Sequence, residues 1–239
     1  MNTHRTLISL DAVGVDYKPS RSIFRHGTAY TALHSVTFDI LAGDSVGIIG
    51  RNGAGKSTLL KIISGIIDPD RGKLINHNAS TSLLSLQTGF DPALPGLKNI
   101  YLSGLLLGFS KKNINAQLEQ IIEFSELGNF INKPVQTYSA GMRARLGFSI
   151  AFQLKPDILL IDEVLGVGDY EFRQKSSRAM REKIKSDQTV ILVSHDTHTV
   201  KNLCHKVVWI ENGVVKAQGT PEQVLENYEE YIAIHPPKM

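Results

Sequence analysis

One cysteine, Cys204, stands in the whole 239-residue chain, so no internal disulfide can form. That fits a reducing compartment, with a buried inert thiol as the default role for Cys204. No apolar stretch approaches the ~20 residues a bilayer span needs; the longest centres on Leu105-Leu106-Leu107. The opening residues, Met1-Asn2-Thr3-His4-Arg5, lead into no apolar signal core. The expectation is therefore a soluble cytoplasmic chain that meets a membrane only through a partner. Internal repeats, heptad runs and low-complexity blocks are absent too, which excludes solenoids and long coiled coils. Charge of one sign is scarce: the formal net charge is +3. The basic cluster Lys18, Arg21, Arg25 and His26 reads as a solvated loop, with a face for acidic lipid headgroups or nucleic acid as the alternative.

What is present is enough apolar material for a core, 42% of residues, in a chain long enough for one large domain or a domain with a lobe. Runs at 7–13, 36–40 and 46–49 read as strands, with a long polar loop at 17–30 between the first two. Asp68-Pro69-Asp70-Arg71-Gly72 reads as a turn and 82–86 as a short strand. The middle changes character. Segments 99–109, 113–124 and 143–154 have few β-branched residues and read as a helical lobe inserted in an α/β core. Alternation then returns: strand 158–161, a helix around 171–185, strand 190–193 and a helix ending near Cys204. Asn212-Gly213 marks a hairpin of the type I′ kind, and Pro221 opens a final helix.

Gly50-Arg51-Asn52-Gly53-Ala54-Gly55-Lys56-Ser57-Thr58 fits G-x-x-x-x-G-K-[ST], after a strand and before a helix. The glycines let backbone N–H groups curl toward phosphate oxygens, and the helix aims its positive end at the same charge. Lys56 is expected to reach the β- and γ-phosphates and Ser57 to ligate Mg²⁺. Asn132-Lys133-Pro134-Val135 lacks the aspartate of a guanine-reading motif, so GTP has no support. The buried run Ile158-Leu159-Leu160-Ile161 ends in Asp162-Glu163. Asp162 suits Mg²⁺ held through water, and Glu163 suits orienting or deprotonating an attacking water. The run 190–193 ends in Ser194-His195, where a neutral imidazole can contact a γ-phosphate. Tyr138-Ser139-Ala140-Gly141-Met142 precedes an amphipathic helix with Arg143 and Arg145, a second phosphate-binding device. Two half-sites in one chain, held apart, would need two chains facing each other.

These motifs, in this order and over essentially the whole length, resemble the nucleotide-binding subunit of ATP-binding cassette (ABC) transporters. The resemblance implies a P-loop NTPase (RecA-like) α/β core with an antiparallel β subdomain and an inserted α-helical subdomain. Residues 1–239 would form one ABC ATPase domain: 1–87 and 155–220 the catalytic core, 88–154 the helical subdomain, 221–239 a short tail. It implies a head-to-tail homodimer sandwiching two ATP molecules, Ser139 and Gly141 binding the γ-phosphate on the partner's P-loop. Gln87 matches the Q-loop, which touches Mg²⁺, and 165–169 the D-loop. Gly50, Asn52, Gly53, Ala54, Gly55, Lys56, Ser57 and Thr58 would line the nucleotide. Tyr17 is the choice for stacking on adenine, with Phe24 and Tyr30 as alternatives.

Tyr138, Ala140 and Met142 depart from the common signature, which has Leu, Gly and Gln there. That variant resembles the ATPases of bacterial polysaccharide exporters, as do Gly89-Phe90, 94–100, 164–172 and the basic first loop. The implied function is ATP-driven export of a lipid-linked polysaccharide such as O-antigen, capsule or teichoic acid. The implied place is the cytoplasmic face of the bacterial inner membrane, on two copies of a polytopic permease, with no nucleic-acid partner. A transporter of other cargo, or a non-transport ABC protein acting on ribosomes or DNA, is the alternative.

Overall fold

The computed structural model describes residues 5–17, 30–84, 89–163 and 166–236. In chain order these form β1 (Thr6–Tyr17), β2 (Tyr30–Leu41), β3 (Ser45–Ile49), α1 (Lys56–Ile63), β4 (Arg71–Asn76), β5 (Thr81–Leu83), α2 (Gly96–Leu106), α3 (Lys111–Ser125), α4 (Ala140–Gln153), β6 (Ile158–Asp162), α5 (Tyr170–Ile184), β7 (Thr189–Val193), α6 (Thr197–Leu203), β8 (Lys206–Glu211), β9 (Val214–Gly219) and α7 (Pro221–Ile234). Two short 3₁₀ turns, Gly128–Asn132 and Val135–Thr137, precede α4. The chain divides into two compact units, one of Met1–Ala79 with Ile184–Met239 and one of Ser80–Lys183. None of the described helices is long and apolar enough to cross a membrane.

In the first unit the central strands are β3 and β7, buried at every residue. Burial on both faces is what a continuous Val/Ile/Leu run specifies in a parallel sheet. Accordingly β3 pairs in parallel with both β7 and β8. The long strands β1 and β2 pair antiparallel, with register shifts, and β4 joins β1 antiparallel. This is the antiparallel part of the fold. The turn expected at 68–72 is the entry to β4, a strand the sequence reading left out. β4 is almost wholly exposed, and an edge strand without a core face carries no alternating signal. The β8–β9 hairpin turns on Asn212 (φ 49°) and Gly213 (φ 70°), both in the left-handed region that the tight turn requires.

In the second unit β5 and β6 pair in parallel. Around Ile100, Ile114, Ile121, Leu146, Ile150 and Leu154 the helices α2, α3 and α4 form a buried apolar cluster. α2 begins at Gly96, three residues before the expected start, because Asn99 lies inside the helix as a buried bracket. Its side chain accepts from Asp91 N (2.8 Å) and donates to the carbonyls of Asp91 and Leu94 (3.0 Å each). α4 likewise begins earlier than expected, at Ala140, because Ser139 caps it by accepting from Met142 N at 3.1 Å.

Phe124, Phe148, Phe152 and Phe172 form an aromatic group in the same unit, with Phe124 and Phe152 centroids 5.1 Å apart. The Lys183 ammonium lies 4.4 Å from the centroid of the Phe152 ring and donates to the Phe152 carbonyl. Burial, aided by the Lys155 charge, lowers its pKa from 10.5 to about 8. The unfolded chain therefore holds more protons than the fold between about pH 8 and 10.5, and this lysine's contribution to stability rises as pH increases across that window. Urea unfolding of wild type and Lys183→Met from pH 7 to 10.5 tests this. The stability difference, wild type minus variant, is expected to increase with pH.

Candidate functional site

The P-loop is built by its supports. Gly50, Gly53 and Gly55 have φ of 148°, 79° and 104°. At Gly50 a Cβ would lie 2.0 Å from the Ile210 carbonyl oxygen of β8, so no other residue fits against that strand. Below the loop, Gly213 N donates to Ala54 O (3.2 Å) while Gly213 O accepts from His34 N (2.8 Å), tying the loop through the hairpin to β2. Lys56 is buried, and its ammonium donates to the carbonyls of Gly50 (2.8 Å) and Arg51 (2.9 Å). Asn52, Gly53 and Ser57 are exposed along the loop's outer side, Gly55 and Thr58 are half-buried, and Ala54 is buried. α1 begins at Lys56 with no acidic residue in its first turn to cancel the positive end.

Two aromatics meet this loop. Tyr17 and Tyr30 are partners at the end of the β1–β2 pair. The Tyr17 hydroxyl is 3.4 Å from Thr58 Oγ1, and the Tyr30 hydroxyl donates to Gly53 O at 2.9 Å. Tyr17 is 40% exposed and Tyr30 52%, so both keep ring surface open. The strand ends are fixed by Asp16, which accepts from the Thr31 hydroxyl at 2.7 Å and from the Arg71 guanidinium. The Thr31 hydrogen bond, then Arg71, hold the Asp16 carboxyl below its usual range. Phe24 and the basic cluster Lys18, Arg21, Arg25 and His26 lie outside the described residues, as does Gln87.

His195 reaches the same sheet edge as the P-loop. Ile48 of β3 and Val193 of β7 are register partners, so the chain leaves both strands side by side at their carboxyl ends, where open α/β sheets bind ligands. His195 is exposed there. Asp196, next in sequence, caps α6 by accepting from His198 N at 3.0 Å.

In the second unit, β6 carries Asp162 at its last position, half-buried, followed by exposed Glu163. Glu163 has φ of 61°, a left-handed conformation that costs a non-glycine residue on the order of 1–2 kcal/mol. Of the stretch matching the D-loop, 165–169, Leu165 lies outside the described residues. Asp169 at its end pairs with Arg145 of α4 and accepts from Phe172 N at 3.1 Å. The Phe172 N–H, then Arg145, lower the Asp169 pKa.

Ser139 and Gly141 sit at the amino end of α4, the serine exposed and the glycine half-buried. The unusual neighbours have structural reasons that spacing alone could not reveal. Tyr138 is 3% exposed and its hydroxyl donates to Phe130 O at 2.6 Å; burial pushes its phenol pKa up. Met142 packs on the helical cluster instead of projecting outward. Arg143 donates back to Tyr138 O at 2.6 Å. Gly141 differs from Gly50: the nearest atom to a Cβ there would be Ser139 Oγ, at 3.8 Å.

The predicted residues thus fall in two sets. Lys56, Ser57, Tyr17 and His195 belong to the first unit, and Asp162, Glu163, Ser139 and Gly141 to the second. The sequence profile described as ABC transporter matches residues 33–166, more than half of the chain. The chain belongs to the ABC transporter family. The O-antigen export system ATP-binding protein RfbB of Klebsiella pneumoniae is 45% identical over 87% of this chain and 84% of that protein. The teichoic acids export ATP-binding protein TagH of Lactococcus lactis is 46% identical over 85% of this chain, which spans 43% of TagH's length. Among solved structures, the dimeric structure of a post-hydrolysis state of the ATP-binding cassette MJ0796 bound to ADP and Pi superposes with a TM-score of 0.69 at 22% identity, covering 90% of this chain and 99% of that one. At that identity it speaks for the ABC fold.

Sequence reasoning missed Arg51 and the Asp16–Thr31–Arg71 group. Both act by holding other residues, and nothing in their spacing marks them. The two glycines make a paired prediction. Gly50→Ala should abolish ATP binding and destabilise the fold. Gly141→Ala should leave the isolated chain as stable or up to about 1 kcal/mol more stable, as alanine exceeds glycine in a helix. Denaturant titration and equilibrium nucleotide binding on both variants check this.

Proposed function

We propose that this ABC ATPase drives export of a lipid-linked polysaccharide of the O-antigen, capsule or teichoic acid type. It would work as a homodimer attached, at the cytoplasmic face of a bacterial inner membrane, to two copies of a polytopic permease. The single observation that carries the cargo assignment is the 45% identity to an O-antigen export system ATP-binding protein over 87% of this chain and 84% of that one. The signature variant Tyr138-Ser139-Ala140-Gly141-Met142 supports the same reading.

At the site, Gly50, Asn52, Gly53, Ala54, Gly55, Lys56, Ser57 and Thr58 bind the phosphates of ATP, and Tyr17 offers its ring to adenine. The Ser57 hydroxyl and the Asp162 carboxylate are hard oxygen donors of the kind Mg²⁺ takes together with phosphate oxygens. Gln87 is a further donor in this reading. Bound Mg²⁺ would offset charge on the β- and γ-phosphates. Glu163 orients or deprotonates water, and His195 contacts the γ-phosphate. Ser139 and Gly141 bind the γ-phosphate held by a partner chain's P-loop. Gly141 supports this: among the described residues, apart from its own helix backbone, nothing comes within 3.4 Å of a Cβ there, so its smallness serves something that approaches from outside. In this reading residues 1–239 are one ABC ATPase domain, with 1–87 and 155–220 the catalytic core, 88–154 the helical subdomain and 221–239 the tail.

Glu163→Gln should bind ATP, form a stable dimer on a sizing column with ATP and Mg²⁺, and lose at least about 100-fold of turnover, the scale of a lost general base. Full turnover by this variant would remove Glu163 from the mechanism. For cargo, deleting the gene should strip the surface polysaccharide and leave lipid-linked polymer inside the cell. A normal glycan coat without that accumulation would reject polysaccharide export.

A further inference from the structure

The last helix grips the P-loop through one side chain. Arg51, the second P-loop residue, lies with its guanidinium carbon 5.1 Å from the centroid of the Tyr231 ring of α7. Its Nη2 donates to the carbonyl of His235, the residue that caps the carboxyl end of α7. Its Nε is 3.9 Å from Glu211 Oε1 at the end of β8. Glu211 is only 3% exposed, so Arg51 balances a carboxylate cut off from water. Beneath lies an aromatic cluster: the Trp209 ring of β8 meets Tyr231 and Tyr228 edge to face, with centroids 5.0 Å and 5.4 Å away, and Tyr231 stacks on His235 at 4.4 Å.

The same residue faces the nucleotide side with its backbone. Arg51 O accepts from Lys56 Nζ (2.9 Å) and from Ala54 N (3.2 Å). The side chain that α7 holds therefore belongs to the residue whose carbonyl holds the phosphate-binding lysine. We propose that α7 is part of the ATP site: through Arg51 it sets the position of the Lys56 ammonium, and so the affinity for the β- and γ-phosphates. Arg51, Tyr231 and Glu211 are positioning residues in this proposal, acting on nucleotide through Lys56. Arginine is needed because one planar group must stack on a ring, donate to a carbonyl and face a carboxylate together. Surface burial alone does not explain this choice. Arg51 Nε and Glu211 Oε2 are buried with no hydrogen-bond partner among the described residues, and an apolar pair would have packed α7 without that cost.

This inference rests on the ATP-site reading, and Lys56→Ala separates the two. The full chain would be compared as wild type, Tyr231→Leu, Tyr231→Phe, Arg51→Lys and Lys56→Ala. Competition against a fluorescent ATP analogue gives affinities for ATP and AMP, and thermal unfolding is followed alongside. Arg51→Lys keeps a charge opposite Glu211, so the fold does not lose its counter-ion. Expected are a roughly 3- to 20-fold loss of ATP affinity in Tyr231→Leu and Arg51→Lys with AMP affinity unchanged, and near-wild-type behaviour in Tyr231→Phe, which keeps the ring. A general loosening of the fold would weaken ATP and AMP alike, and that result overturns the proposal. So does unchanged ATP affinity in both clamp variants while Lys56→Ala loses binding. ATP affinity intact in Lys56→Ala would overturn the site reading and the clamp together.

Discussion

The contact between Gly50 and the Ile210 carbonyl is the constraint on which the rest of the nucleotide-facing structure depends. It leaves no room for a side chain, so the loop backbone lies directly on β8. From that seat the other supports follow. Gly213 can reach Ala54, Lys56 can fold back onto Gly50 and Arg51, and the Arg51 side chain is delivered to α7. Hydrogen bonds of this sort each contribute about 1 kcal/mol net; their larger effect is to leave the loop one conformation. A phosphate-binding loop gains from such pre-organisation, because less ordering remains to be done when the ligand arrives.

The second unit treats its residues differently. Ser139 serves two ends at once: its hydroxyl caps α4, and the same residue stands exposed at the helix's positive end. Glu163 is held in a conformation unfavourable to its own backbone, a condition that persists only where the surroundings over-determine it. Arg145 links the signature helix to Asp169, at the start of α5, and to Glu126, at the end of α3.

Much of this was legible in the sequence because the chemistry needs rigid spacing. The P-loop, the Asp162-Glu163 pair and the signature stretch are local patterns, and each lies on the expected kind of element. The fully buried strands β3 and β7 announced themselves by the charge-free runs Val46-Gly47-Ile48-Ile49 and Val190-Ile191-Leu192-Val193. Three features were not legible, each for a physical reason. β4 has no apolar face. The starts of α2 and α4 lie three residues before Asn99 and Arg143, where the sequence expectation put them, because Asn99 is a buried bracket inside α2 and Ser139 caps α4. The link from Arg51 to Tyr231 and His235 joins residues far apart in the chain, and a single arginine in a variable P-loop position carries no pattern. Tyr138 was legible as a departure from the common signature, but its tethering bond to the Phe130 carbonyl was not.

The strand that precedes the P-loop has an awkward order of arrival. β3 is made early, yet its two neighbours, β7 and β8, come from the far end of the chain. The unit between them, Ser80–Lys183, is continuous and has its own buried cluster. On a ribosome adding about 5–20 residues per second, that middle portion is complete while β3 still waits, its apolar residues unpaired for many seconds. The nucleotide loop therefore cannot take its final shape until the hairpin around Asn212 has emerged. A chain that stalls before that point presents a bare Val-Gly-Ile-Ile segment, a natural target for holding chaperones during biosynthesis.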